Sequence, residues 1–435
     1  MKNRSSYEKP LYRLLIVCML LFAGGGILCD GLTSSLQGFM SLQMHSARLI
    51  NDFTVVGGSG GALLNAAVMG LLALALVRIC RVSLSGPTVA AVFTIAGFSL
   101  FGKTPLNAFP IVTGVFLASR IARKPFRNYI LMALFGTALG PLVSFLICES
   151  GLSGPVALLA GFAAGCAAGL ILPALSMAML RMHEGFNIYN IGLACGFLGL
   201  FAASFLEAAR RNLSGEIIWN ENPGLELVLQ VPVMSLLMIG TGLRIDGAKT
   251  LDNLKKIFKQ SGRLPSDFMS SGAPGAALVN AGLLGLAGTL YLLLIGADIN
   301  GPVIGGLLTV MGFATFGKHL RNTWPVAVGV VAATLLSGKS LTDPGPVLAL
   351  LFSTTLAPLA GEFGRLTGFA AGFVHLTLVE RTAAWHGGLD LYNNGFAGGL
   401  TATLFVAVIQ WLRATRRTET KPKIRINPAE QSNGK

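Results

Sequence analysis

Two lysines, Lys103 and Lys318, stand in apolar surroundings within the same short frame, "FGKTPLNAFP" (101–110) and "FGKHLRNTWP" (316–325). An ammonium group inside a membrane-like run is costly, and intramembrane ionisable residues are read first as functional. Thr104 and Asn107 accompany the first lysine, His319 and Asn322 the second. Such a set suits an anionic or strongly hydrogen-bonding solute.

A second matched pair lies further on. "HEGFNIYN" (183–190) and "HGGLDLYN" (386–393) open with His183 and His386 and carry Tyr189, Asn190, Asp390, Tyr392 and Asn393 deeper in. The deeper residues are candidates to line a substrate path, and the histidines to relay protons or gate it. The competing readings are polar helix-entry residues and an interfacial tyrosine belt. Asn65 and Asn280 close "GGSGGALLN" and "GAPGAALVN". No strand precedes these stretches and no GK[ST] directly follows them, so they are not phosphate loops. They would let helix backbones approach closely, with the asparagines bridging helices or facing the path.

Other chemistries lack their residues. There is no HExxH and no pair of intramembrane carboxylates matched between the frames, which argues against a carboxylate-coupled cation antiporter. The six cysteines (Cys18, Cys29, Cys80, Cys148, Cys166, Cys195) form no CxxC and no Cys/His cluster. No metal, no cofactor and no enzymatic activity are expected. An intramembrane enzyme acting on lipid-linked substrates would need an asymmetric catalytic cluster, whereas the polar residues here recur in pairs.

The pairs belong to a duplication. A shift of 215 residues aligns 52–115 with 267–330 without a gap and with 22 identities in 64 positions. Asp52-Phe53 meets Asp267-Phe268, Gly86-Pro87 meets Gly301-Pro302, and Asn107 and Pro110 meet Asn322 and Pro325. "LFGTALGPL" (134–142) then matches "LFSTTLAPL" (351–359), and from His183 and His386 onward the spacing is 203. Leu11 to Asp30 aligns weakly with Glu226 to Asp246, so the first apolar run reads as a retained helix rather than a cleaved signal.

The elements that must position these residues are membrane helices. Of 435 residues, 53% are hydrophobic and 12% charged, with a mean hydropathy of +0.67, against about a quarter charged in soluble domains. With about 20 apolar residues per crossing, the first copy gives crossings at 11–29, 57–77, 128–148, 153–179 and 186–206. The second gives 225–243, 272–295, 345–361, 366–380 and 388–411. Each copy adds one interrupted pair, 86–101 with 106–119 and 301–316 with 324–337. The domains expected are a first membrane repeat over 11–207, a second over 225–412, and a basic cytoplasmic tail over 413–435.

Five crossings is odd, so the second copy should be inverted. With the N-terminus inside, the inner segments hold 25 Lys and Arg and the outer ones five, a strong positive-inside bias. The net charge of +14 therefore reads as topology and not as nucleic-acid binding. The expected fold class is all-α integral membrane with an inverted-topology repeat, of about five transmembrane helices and one re-entrant or interrupted hairpin per copy. Such folds place the substrate path where the copies meet.

The paired FGK, GP and "GFNIYN"/"GLDLYN" segments resemble an uncharacterised bacterial membrane family, the domain of unknown function numbered 1576, which occurs as two copies in one chain. That resemblance brings no substrate and no site residues. The plan of each copy also resembles that of urea transporters. The resulting expectation is a bacterial inner-membrane transporter of a small polar or anionic solute, with both termini cytoplasmic. A channel-like facilitator of a neutral solute is the alternative. Its partners would be the lipid bilayer and the solute, with a homo-oligomer compatible.

Segment 86–101 would make roughly 24 Å of helix and 106–119 about 21 Å, short of a hydrocarbon core of about 30 Å. Gly102, Pro105 and Pro110 bar a continuous helix. A re-entrant hairpin would bring Lys103 and Lys318 to the midplane from opposite sides. Otherwise both helices cross almost fully and the lysines snorkel to water.

Overall fold

The computed structural model describes residues 4–419. Apart from one isolated bridge, Asn51 to Ile218, the regular structure of the described residues is helical. The first half holds α1 (Arg4–Gln43), α2 (Gly58–Ile79), α3 (Gly86–Phe98), α4 (Pro105–Ile121), α5 (Phe126–Cys148), α6 (Gly154–His183) and α7 (Asn190–Ala208). The second holds α8 (Leu225–Ile257), α9 (Pro274–Ile295), α10 (Gly301–Ala314), α11 (Leu320–Leu336), α12 (Pro344–Phe363), α13 (Arg365–Trp385) and α14 (Asn393–Glu419). Of the tail expected at 413–435, residues beyond 419 lie outside the described region.

Among the described residues, nine helices are long and apolar enough to cross a membrane, five within 7–208 and four within 225–415. The crossing expected at 366–380 falls in α13, which carries Arg365, His375, Glu380 and Arg381 and is not among the nine. Other boundaries also move. The first crossing extends well past residue 29 and breaks at Gly31, whose φ of 77° suits glycine. The crossings expected at 128–148 and 345–361 each contain a 3-10 stretch, 137–139 and 354–356. Pro141 and Pro358 follow at the start of the next helical segment. Without an N–H they cannot continue the α ladder, and the preceding turn tightens.

Local sequence sets the short helices. Pro87 and Pro302 sit in the first turns of α3 and α10, where the missing N–H would be unpaired anyway. Acidic caps come from the opposite half: Asp267 accepts from the Gly86 N–H at 3.2 Å, and Asp52 accepts from the Gly301 N–H. A carboxylate suits the positive end of a helix, so these caps stitch the halves together.

Packing repeats from one half to the other. α1 lies along α2 as α8 lies along α9, and α4 along α6 as α11 along α13. Across the halves α3 meets α10 and α7 meets α14. A Cβ on Gly97 would lie 2.8 Å from the Gly305 Cα, and one on Gly312 would lie 2.8 Å from the Ala90 Cα. As residue number rises along α3 it falls along α10, so the two run antiparallel. Without side chains at the crossing the helices touch backbone to backbone, the packing that small residues permit in apolar media.

Candidate functional site

The joint after α3 is built by side chains bonding to backbone. The Lys103 N–H donates to the Phe98 carbonyl, and Asn65 Nδ2 donates to the carbonyls of Ser99 and Lys103, both at 2.7 Å. Asn107 Nδ2 donates to the Gly102 carbonyl at 2.9 Å, and Thr104 and Asn107 form a capping box on α4. The second half repeats each device. Asn280 Nδ2 donates to Ala314 and Lys318 carbonyls at 2.8 and 2.7 Å, Asn322 Nδ2 donates to the Gly317 carbonyl at 3.0 Å, and His319 and Asn322 cap α11. Six residues expected on the substrate path, Asn65, Thr104, Asn107, Asn280, His319 and Asn322, thus hold the joints.

Both lysines are fully buried. The first joint is covered by protein: the Leu106 N–H donates to Gln43 Oε1, and the Phe53 N–H to the Leu100 carbonyl. Lys103 Nζ donates to the Tyr392 hydroxyl at 2.7 Å and lies 4.5 Å from that ring's centroid. Lys318 Nζ donates to the Tyr189 hydroxyl, and to Thr354 Oγ1 at 2.7 Å, and lies 4.4 Å from the Tyr189 ring. Each lysine therefore reaches the tyrosine of the other half. Phe98 meets the Tyr392 ring edge-on at 4.6 Å, and Phe313 meets Tyr189 likewise at 4.4 Å. A desolvated ammonium gains about 2 kcal/mol from such a ring face, and neither lysine snorkels to a surface.

The histidines do not meet each other. His183 Nε2 pairs with Asn190 Oδ1 at 2.9 Å, and His386 Nε2 with Asn393 Oδ1 at 3.1 Å. Each ties the end of one helix to the start of the next. Asp390 is fully buried, and its Oδ1 accepts from the Tyr392 N–H at 3.0 Å. No group of three or more His, Cys, Asp or Glu that could hold a metal occurs among the described residues.

Where the halves meet, a cavity of about 210 Å³ opens, room for several waters or one small solute. Its walls come in pairs: Thr94 and Thr309, Phe98 and Phe313, Tyr189 and Tyr392. Asn190 also lines it, while the lysines stand behind the tyrosines. Thr309 Oγ1 donates to the Gly305 carbonyl at 2.8 Å, but Thr94 Oγ1 has no partner although only 2% of the residue is exposed. Sequence reasoning passed over Thr94, Phe98 and their equivalents because single residues inside apolar runs read as core. Their identity under the 215-residue shift was the available signal.

Chain-long apolar helices around a covered polar centre define a multi-pass membrane protein. The family model described as a protein of unknown function (DUF1576) matches residues 32–208 and 247–411. The chain belongs to that family, and the two matched segments fit its paired repeat. No curated protein and no solved structure matches it.

Proposed function

We propose that this protein is a facilitator carrying a small, uncharged polar solute across the bacterial inner membrane through the central cavity. The observation that carries the reading is a cavity where the halves meet, lined in matched pairs by Thr94 and Thr309, Phe98 and Phe313, and Tyr189 and Tyr392. A few placed polar groups in an apolar, concave setting are what small-molecule sites are made of. The aromatic rings would hold a flat or compact solute. An anion is less well served, because both ammonium groups are engaged by tyrosine hydroxyls and neither lines the cavity.

Inverted copies are part of this proposal. The antiparallel contact of α3 with α10 supports it, as does the distribution of Lys and Arg, which favours cytoplasmic termini. Lining residues drawn equally from both halves fit a path at a pseudo-twofold interface. The test is stopped-flow swelling of liposomes containing the purified full chain, with urea, formamide, glycerol and acetate as probes. Faster entry of at least one neutral probe than in protein-free vesicles is expected. Entry of acetate alone, or of none of the four, would overturn the reading.

A further inference from the structure

The two lysine sites are made from corresponding residues, and they differ in their titratable groups: the Lys103 site has Asp390 and Cys195 where the Lys318 site has Asn187 and Gly398, and His319 stands where Thr104 does. Asn187 stands beside Tyr189 where Asp390 stands beside Tyr392. Both ends of the Asn187 amide are used. Its Oδ1 accepts from the Tyr189 N–H at 3.1 Å and from the Thr355 hydroxyl, and its Nδ2 donates to the Gly395 carbonyl at 3.1 Å.

Asp390 occupies the same frame with fewer partners. The Leu391 N–H donates to the Ala138 carbonyl at 3.0 Å as the Ile188 N–H donates to the Thr355 carbonyl at 3.2 Å, so the backbones correspond. Where Thr355 supplies a hydroxyl, however, Ala138 has none. Asp390 Oδ1 takes the Tyr392 N–H, and Oδ2 has no partner in a fully buried place. A buried carboxylate oxygen without a donor is costly. A carboxylic acid there could donate, as Asn187 Nδ2 does, to the corresponding carbonyl, that of Gly192.

We propose that Asp390 is a proton-binding site, loaded as the acid and held as the carboxylate by the neighbouring Lys103 ammonium. The facing groups are few. Lys103 comes from the joint and Cys195 from α7, and both interact electrostatically with Asp390. Tyr392 is two residues on. His386 lies on the same turn with Nδ1 unpartnered, and Gly199 of α7 backs both it and Asp390. No ion pair of 4.0 Å or less joins Lys103 to Asp390 among the described residues, so the lysine acts as a near counter-charge. On loading, a proton from bulk water forms the Oδ2–H bond and the site gains one positive charge. On release that bond breaks, and the proton returns to water. The Lys318 site has an amide in this place and so offers no carboxylate to protonate.

Infrared spectroscopy of the detergent-purified full chain reads this directly, because a protonated carboxyl has its own carbonyl band. Because 19 Asp and Glu side chains absorb there, the band is read as the difference between the native chain and Asp390→Asn, in which a titrating component is expected. Asp390→Asn copies the Asn187 arrangement and should fold. Should it not, Lys103→Met decides: the band midpoint should rise by about 1–3 pH units once the counter-charge is gone. No titrating component in that difference, or an unmoved midpoint in Lys103→Met, would overturn the proposal. None of these outcomes depends on solute entry, so the site and the transport reading can fail separately.

Discussion

The Lys103 and Lys318 sites have the same parts list, and they answer a buried ammonium differently. At Lys318 the answer is two hydroxyls, from Tyr189 and Thr354. At Lys103 it is one hydroxyl, from Tyr392, with the Asp390 carboxylate nearby. The threonine equivalent to Thr354 is Thr137, and its hydroxyl donates to the Leu134 carbonyl without reaching the lysine. Duplication alone would have left two equal sites. The difference indicates that one site is built to hold a fixed arrangement and the other to change its charge.

The largest test of that contrast is removal of the lysines. Lys103→Met leaves Asp390 buried without its counter-charge, and the loss of stability should be ~3–5 kcal/mol at alkaline pH. Without the lysine the folded chain favours the protonated acid, so the loss should shrink as the pH falls and Asp390 takes up a proton. Lys318→Met strands only hydroxyls and should cost ~1–3 kcal/mol with no such pH dependence. Denaturation of the purified protein in detergent across pH measures both. The double variant Lys103→Met with Asp390→Asn should recover most of the alkaline loss, and equal single losses with equal pH profiles would erase the contrast.

Removing the tyrosine hydroxyls has a smaller effect of the same sign. Tyr392→Phe takes the one hydrogen-bond acceptor that Lys103 Nζ has among the described residues and should cost ~1–3 kcal/mol, whereas Tyr189→Phe leaves Thr354 in place and should cost ~0.5–1.5 kcal/mol. The reverse order in the same denaturation assay would mean that Thr354 contributes little. Smallest is a gain. Ala138→Thr gives Asp390 the hydroxyl that Asn187 already has, and a stabilisation of about 0.5–1 kcal/mol is expected. A destabilised Ala138→Thr would show that the two frames are not equivalent in space.

Much of this was legible in the chain before any coordinates. The duplication, the glycine and proline interruptions and the lysine frames are local patterns, and local patterns survive in sequence. The caps of α4 and α11 were written in the spacing of Thr104 to Asn107 and His319 to Asn322, although those residues were read as solute ligands. A capping side chain and a ligand are both polar residues at a helix start, and only the observed bonds separate them. The exchange of partners between the halves, Lys103 with Tyr392 and Lys318 with Tyr189, lies in no local pattern because it joins residues far apart in the chain. The 3-10 turns before Pro141 and Pro358 interrupt two crossings whose apolar runs look continuous. Asp390 is the instructive case, since in the sequence its lack of an acidic equivalent argues against a carboxylate-coupled cation antiporter. In a duplicated chain, the position where one copy breaks the pattern carries information too.

The cavity between the halves is the centre of the functional proposal, and filling it is the most direct test. Thr94→Phe and Thr309→Phe would each place a ring in the wall, and stopped-flow swelling of liposomes would then be compared with the native chain for the neutral probe it passes. Entry should fall to the protein-free rate in both variants while the protein stays folded, as judged by its thermal unfolding. Unchanged entry through a folded chain with the cavity filled would mean that the solute takes another route.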